Sequence, residues 1–341
     1  MAKTIKYLVT GGAGFIGSNF VHYLYRKHQN IQVCVLDNMG YSANIKNLKS
    51  VMERKDFEFI KGDICDPKAV ARAMKGAHVV VNFAAEVAVD RSIDDPQSFL
   101  RTDIFGVYTL LEEARRAHAR KELKKFIQIS TDEVYGQILK GSFREDSQTL
   151  PRNPYSASKL GGEKIAYSFF KTYNLPVVVT RAANNYGPSA YPEKVIPLFV
   201  TNLFDGLPVP VYGKGKQIRD WLFVDDHCSA IDLLVNKGVN GEVYNVGAGE
   251  ECTNIALTKA ILKLMGKDQS YIRFVADRPG HDFRYSLSCA KIRALGWAPK
   301  YGLTEGLKLT VDWYKANEAW WRPLKKNLDQ RFVKGFWGSK K

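Results

Sequence analysis

A β-branched run, Ile5 to Thr10, leads straight into the octapeptide TGGAGFIG, and an amphipathic stretch, Ile16 to His28, follows it. No other segment constrains the fold as tightly. Gly11, Gly14 and Gly17 recur at three-residue spacing, and Gly12, Gly14 and Gly17 also satisfy the G-x-G-x-x-G pattern. Glycines between a strand and a helix let the backbone turn sharply and approach a pyrophosphate, whose charge then rests on the helix N-terminus. Glycine triplets also serve ordinary tight turns. The strand before and the helix after are what mark this one as a dinucleotide-binding turn.

The same alternation continues down the chain. Strands are expected at Ile5 to Thr10, Ile31 to Leu36, Phe57 to Lys61, Val79 to Phe83, Phe126 to Ser130 and Val177 to Thr180. Helices are expected at Ile16 to His28, Ala69 to Met74, Val107 to Ala119 and Ser156 to Tyr173. Strands alternating with helices bury a parallel sheet between two helical layers. The expected fold class is therefore α/β, a Rossmann-type doubly wound parallel sheet. After about residue 182 the texture changes to Gly-, Pro- and Tyr-rich loops (NNYGPSAYPEK, PVYGKGKQ, ADRPGHD), which suits a smaller C-terminal substrate-binding domain. The expected division is 1–182 for the cofactor domain and 183–330 mainly for substrate. A segment near 220–247 returns to the first domain through a strand at Val243 to Val246.

With 341 residues, 45% hydrophobic, the chain can bury a large core. Its longest apolar stretch, Ala77 to Val89, is broken by Asn82 and Glu86 and falls short of the roughly 20 residues a membrane helix needs. The N-terminus runs into a strand without a signal-peptide pattern, and Cys34, Cys65, Cys228, Cys252 and Cys289 show no C-x-x-C spacing. Reduced thiols in the cytoplasm are the expectation. A formal net charge of +15 raises nucleic acid as a partner, yet the basic residues are dispersed and their densest groups carry no aromatic platform. A basic field that attracts an anionic small substrate fits better. None of the six histidines stands at metal-ligand spacing from cysteines or acids, so no metal is expected.

Asp37 follows Gly17 by twenty residues and ends the second strand, where a carboxylate can bond the adenine ribose diol and repel a 2′-phosphate. That favours NAD over NADP, although a turn residue before Asn38 would look the same. Asp63 and Ile64 after the third strand can flank the adenine, or simply form a turn. Phe83, Ala84 and Ala85 close the fourth strand at the cofactor edge.

Four Tyr-x-x-x-Lys pairs occur: Tyr23/Lys27, Tyr155/Lys159, Tyr167/Lys171 and Tyr212/Lys216. On a helix such a pair shares one face, where the ammonium can lower the phenol pKa and hold a ribose. Only Tyr155 opens a helix after a strand whose C-terminal end carries acids, the edge where open α/β sheets bind ligands. The other three pairs read as surface residues. The acids are Asp132 and Glu133, behind Thr131. Alcohol oxidation needs only the tyrosine; two carboxyls can divide the work of an elimination, one protonated as acid and one acting as base.

These strings together resemble the extended short-chain dehydrogenase/reductases, and within them the dTDP-glucose 4,6-dehydratase family. TGGAGFIG and YSASK are shared widely. STDEVYG, GKGKQIRDWLFVDDH and ADRPGHD are narrower; with AAEVAVDRSI, NNYGP and PEKVIPLF they occur in order along the chain, and the resemblance covers residues 4 to about 323. The resemblance implies that Tyr155 takes the sugar 4-hydroxyl proton, with Thr131 holding that hydroxyl and Lys159 tuning the phenol, while hydride passes from C4 to NAD. Glu133 then removes the C5 proton, Asp132 protonates the departing C6 hydroxyl, and hydride returns to C6. It places Gly11, Gly14, Phe15, Ile16, Gly17, Asp37, Asn38, Asp63, Ile64, Phe83, Ala84, Ala85, Thr102 and Asn185 against NAD. It places Val87, Asn184, Lys194, Val195, Pro210, Tyr212, Arg219, Asn254, Arg278 and His281 against the nucleotide sugar. His227 is expected to be structural. The family pattern has Ser and His where this chain has Val87 and Ala88, which opens the question of sugar fit; Asp90, Arg91 and Ser92 are retained. A homodimer through the helices at Val107 to Ala119 and Ser156 to Tyr173 is implied as well. A 4-epimerase, which needs no C5 base, and a decarboxylase are the nearest rivals. A silent NAD-sensing or nucleic-acid-binding protein would have lost Tyr155, Lys159 or the acids. Thymine and uracil differ by one methyl, worth only ~1 to 3 kcal/mol to a pocket, so the base stays open.

Overall fold

The structure, a computed structural model, describes residues 4–277 and 281–328. Its first half alternates β1 (Ile5–Thr10), α1 (Phe15–Lys27), β2 (Ile31–Asp37), β3 (Phe57–Lys61), α2 (Pro67–Met74), β4 (Val79–Asn82), α3 (Val89–Asp94), α4 (Pro96–Leu100), α5 (Val107–Ala119), β5 (Lys125–Thr131), α6 (Pro154–Tyr173) and β6 (Val177–Ala182). The second half holds β7 (Asn184–Tyr186), α7 (Val195–Phe204), β8 (Val209–Tyr212), β9 (Ile218–Phe223), α8 (Val224–Lys237), β10 (Val243–Val246), β11 (Glu251–Thr253), α9 (Asn254–Leu264), β12 (Ile272–Val275), α10 (Ala290–Ala294), α11 (Leu303–Ala316) and α12 (Glu318–Lys326).

Seven strands form one parallel sheet in the order β10-β6-β5-β4-β1-β2-β3. Side chains alternate across a strand, and β1 shows the effect. Tyr7 and Val9 enter the core on one face, with Phe20 and Leu24 of α1 and Ile231 and Leu234 of α8. Leu8 enters the other, with Val70 of α2, Leu110 of α5 and Ala166 of α6. Chain order reverses between β1 and β4, so the C-terminal ends of these strands open the crevice where such sheets take ligands. A third core joins Tyr186, Trp221, Leu257, Leu307 and Trp321 under the smaller sheets β11-β9-β7 and β12-β8.

The expected strands and helices lie within a few residues of those observed. Beyond the expected elements the second half adds α7, α9, α10, α11 and α12, and also α8. Asp225 and Asp226 in its first turn favour a helix N-terminus, and Asp226 fastens the start of α8 by accepting from the amides of Lys300 and Tyr301. The first half adds a compact stretch of α3, α4 and a π-helical turn at Arg101–Gly106. Ala88, just before α3, sits at φ 77°, the left-handed region that suits glycine. Ala88→Gly is therefore expected to stabilise the fold by about 0.5–1 kcal/mol, seen as a rise of about one or two degrees in Tm. An unchanged or lower Tm would mean that the surroundings, not the missing glycine, set this backbone.

Candidate active site

The cofactor crevice is built from backbone. At Gly11, φ is 65° and a Cβ would lie 2.7 Å from the Ala84 amide nitrogen; at Gly17 it would lie 2.4 Å from the Gly11 carbonyl oxygen. Any side chain there would push β1 from β4 or α1 from the turn. Gly14 caps α1 without a side chain, so no cap competes for the first-turn amides that an anion would use. These residues fit a dinucleotide. Asp37 is buried and first of all fixes the turn: its Oδ2 accepts from Ala13 N at 2.9 Å and its Oδ1 from Met39 N at 2.8 Å. Burial pushes its pKa up despite both bonds. Its remaining lone pairs are what it offers a ribose. Asn38 is exposed and accepts from Gly40 N; Asp63 accepts from Cys65 N, the turn geometry foreseen as its alternative. Ile64 is 4% exposed, its side chain packed into the core rather than across the crevice mouth. Phe15, Ile16, Phe83, Ala84, Ala85 and Thr102 are each partly exposed around the strand ends.

The chemical groups meet where β5 ends. Thr131 caps a 3-10 turn at Asp132–Tyr135: its Oγ1 accepts from Glu133 N at 3.3 Å and donates to Asp132 Oδ1 at 3.2 Å. Asp132 is 3% exposed, and its Oδ2 has no partner among the described residues. Burial, then the charge of Glu133, push its pKa up to about 8, while Arg219 and the Thr131 hydroxyl pull the other way. Asn153 Nδ2 donates to Glu133 Oε2 at 3.3 Å, and Asn153 Oδ1 accepts from Ser156 N at 2.8 Å to cap α6. One residue therefore ties the acid turn to the helix that carries Tyr155 and Lys159.

Tyr155 packs edge-on to Phe99, and the Thr131 side chain pulls its phenol down. The phenol is nonetheless pushed well up, by burial and then by Glu133, so the downward tuning by Lys159 expected from the spacing does not dominate in the protein alone. Lys159 is itself buried, which lowers its pKa; Asp103 and then Glu163 oppose that fall. Asp103 lies in the π-helical turn, where its Oδ2 accepts from Ser158 Oγ at 2.6 Å and its Oδ1 from Glu86 N at 3.2 Å. Sequence reasoning missed Asp103, Ser158 and Asn153. The Asn-Pro-x-Ser cap pattern could have found Asn153; a π-helical turn leaves no comparable signature. The remaining Tyr-x-x-x-Lys pairs lie elsewhere. Tyr23 and Lys27 sit on α1, and Lys171 covers the Tyr167 ring on the outer part of α6. Tyr212 ends a strand, so it shares no helical face with Lys216, and its buried hydroxyl corrects the reading of this pair as surface.

Facing the acids, β7 and β9 supply polar groups. Asn184 Oδ1 is buried with no partner among the described residues. Asn185 donates to Ala183 O, and its Oδ1 accepts from His227 Nδ1 at 2.9 Å. Burial drives His227 down to about 3, so it stays a neutral donor that orients Asn185, the structural role expected of it. Arg219 is 5% exposed and stacks 4.2 Å over the Tyr285 ring. It donates to the carbonyls of Ile218, Asp282 and Phe283, and is not paired with Asp220, which accepts instead from Gly249 and Glu250 N. Five N–H donors in its fork exceed those needs. His281 Nδ1 lies 2.6 Å from Asp277 Oδ1, with its ring edge-on to Tyr212, while Gln217 donates to Asp277 Oδ2. Asn254 begins α9, Lys194 and Val195 begin α7, and Pro210 is buried in β8. Val87 is partly buried in the loop after β4, and Arg91 covers the Tyr41 ring at 3.8 Å. Arg278 lies outside the described residues.

A family model described as GDP-mannose 4,6 dehydratase matches residues 8–310. The chain belongs to this dehydratase family. It is 49% identical to a dTDP-glucose 4,6-dehydratase of Streptomyces niveus over 94% of this chain and 96% of the relative. The crystal structure of DesIV, a dTDP-glucose 4,6-dehydratase from Streptomyces venezuelae with NAD and TYD bound, superposes with a TM-score of 0.90 at 46% identity, covering 94% of this chain and 100% of DesIV. A UDP-glucose 4-epimerase of Thermus thermophilus in complex with NAD reaches a TM-score of 0.84 at 32% identity, over 92% of this chain and all of that one. The scaffold is thus common to dehydratases and epimerases, and the residues at the end of β5 must separate them.

Proposed function

We propose that the protein is an NAD-dependent hydro-lyase that converts dTDP-glucose to its 4-keto-6-deoxy product. The observation that carries this reading is Asp132: a buried acid held protonated near neutral pH, with an oxygen that has no partner among the described residues, next to a second carboxyl. An epimerase needs no such acid.

Gly11, Gly14, Gly17 and Asp37 would hold NAD, which supplies the hydride acceptor at C4 and the donor at C6. Thr131 positions the sugar 4-hydroxyl, and Tyr155 takes its proton. Oxidation at C4 acidifies C5. Glu133, oriented by Asn153, removes the C5 proton, Asp132 gives its proton to the C6 hydroxyl, which leaves as water, and Glu133 gives its proton back to C5 as hydride enters C6. Lys159, with Asp103 behind it opposing the fall that burial imposes on its pKa, stands on the face of α6 that presents Tyr155. Incubation with dTDP-glucose and with UDP-glucose, followed by the alkali-induced absorbance of a 4-keto sugar, tests the reading. Turnover of dTDP-glucose is expected; no 4-keto product from either would overturn it.

Arg219, with Asn184, Lys194, Asn254 and His281 around the same crevice, would bind the nucleotide diphosphate and sugar. Arg219→Ala is expected to raise the dTDP-glucose Kd by about 10- to 100-fold, since hydrogen bonds to charged groups are worth about 1.5–3 kcal/mol. NAD affinity should stay near wild type. An unchanged sugar Kd would remove Arg219 from the diphosphate site.

Two copies would pair through α5 and α6. Phe105, Tyr108, Tyr167 and Tyr173 all stand exposed on or beside these helices, and a cluster of exposed aromatics supports such a pairing. Light scattering is expected to give twice the chain mass of 38.5 kDa, and a monomer would refute the pairing. The five cysteines are all unpaired, which supports a reducing, cytoplasmic setting, and no helix among the described residues is long and apolar enough to cross a membrane.

A further inference from the structure

Trp320 and Trp321 are neighbours on α12, and successive helix positions point about 100° apart. They divide their work accordingly. Trp321 is fully buried in the third core, stacked with Phe204 and donating from Nε1 to Tyr314 O. Trp320 is partly buried at the edge of that core, packs edge-on to Trp313 and Tyr314, and donates from Nε1 to Asn47 Oδ1 at 2.8 Å, across 273 residues of sequence. Asn47, 7% exposed in a 3-10 turn at Ile45–Leu48, passes the contact on: its Nδ2 donates to Ala13 O at 2.9 Å, inside the glycine turn. An indole N–H can only donate and a carbonyl can only accept, so the Asn47 amide has one orientation here.

Both peptides of Ala13 are held. Its carbonyl accepts from Asn44 N as well as from Asn47, the Gly14 N–H in the same plane donates to Gly11 O, the Ala13 N–H is taken by Asp37, and His22 Nε2 donates to Asn47 O at 2.7 Å. A planar peptide with its oxygen fixed has its plane fixed too, and that sets where the amides that follow point. Those amides, at the uncapped start of α1, are the ones an anion would use. We infer that Asn47 and Trp320 are positioning residues for the cofactor turn, through which the C-terminal helix, anchored in the core beneath the substrate strands, holds the pyrophosphate-binding amides in place. This rests on the NAD reading above.

Three variants test it: Trp320→Phe, which keeps a ring against Trp313 and Tyr314 but removes the donor, Asn47→Ala, and the pair together. Calorimetric titration with NAD is expected to show each single variant weakened about tenfold and the double variant no weaker than Asn47→Ala, because residues acting in series are not additive. The dTDP-glucose KM at saturating NAD should not move. In the nucleotide-free protein, hydrogen exchange over residues 11–17 should quicken by a similar factor, a change that a general loss of stability would not confine to that segment. Trp320→Phe binding NAD within twofold of wild type, or exchange unchanged over 11–17, overturns the inference, as does full additivity. Should the wild type bind no NAD, the proposed function fails, and the exchange measurement still decides whether Trp320 orders the turn.

Discussion

Glu133→Gln is expected to stop the reaction half-way. The amide keeps the shape of Glu133 and can still accept from Asn153 Nδ2, so the turn after β5 and the cap of α6 should survive. It cannot take the C5 proton, and a general base is worth about 10²- to 10⁴-fold. Oxidation at C4 does not need that base. With dTDP-glucose the variant should accumulate reduced cofactor, visible by its near-ultraviolet absorbance, while 4-keto-6-deoxy product falls by about 10³-fold. Normal product formation would show that another group removes the proton. A second consequence follows from the electrostatics: the Glu133 charge raises both Asp132 and Tyr155, so its removal lets both phenol and acid titrate lower. Reduction of NAD by the variant should therefore set in at lower pH than in wild type.

Asp132→Asn should lose turnover by about 10²- to 10⁴-fold, since an amide offers no transferable proton. Wild-type activity is expected to decline as pH rises past about 8, where the acid ionises. The stability effect has the opposite sign. The folded pKa of Asp132 is raised, so the folded state holds a proton that the unfolded chain has released once pH exceeds about 4. Stability from this group is complete below that pH and is lost progressively up to about 8, beyond which the loss is constant. Asp132→Asn removes the titration, and its Tm should exceed that of wild type by a margin that widens from pH 5 to pH 8. Equal Tm values across that range would mean that Asp132 is not held protonated in the fold. Such an acid, costly to the fold and useful to the chemistry, is the kind of strain active sites keep.

Much of the cofactor half was legible in the chain because its signals are local. Strand periodicity, the glycine turn and the acid-bearing end of β5 each lie within a few consecutive residues, and the observed elements follow them closely. The site's supporting groups were not legible for the opposite reason. Asp103 meets Ser158 from 55 residues away, His227 meets Asn185 across 42, and Arg219 meets Asp282 across 63. Their partners are chosen by packing, which no window of sequence reports. The ordering of influences on Tyr155 also needed the fold, because burial and the charge of Glu133 act on the phenol only once the helix is seated.

By itself the sequence determined the parallel α/β class, the place of the dinucleotide turn and the conjunction of Thr131, Asp132 and Glu133 with Tyr155 and Lys159, since each depends on spacing along one or two elements. Only the tertiary structure decided that the Asp132 carboxyl is pushed up to about 8, and that Arg219 is locked against Tyr285 and the 282–283 backbone. Spacing brings residue types together, but desolvation sets which of them holds a proton, and desolvation belongs to the folded molecule alone.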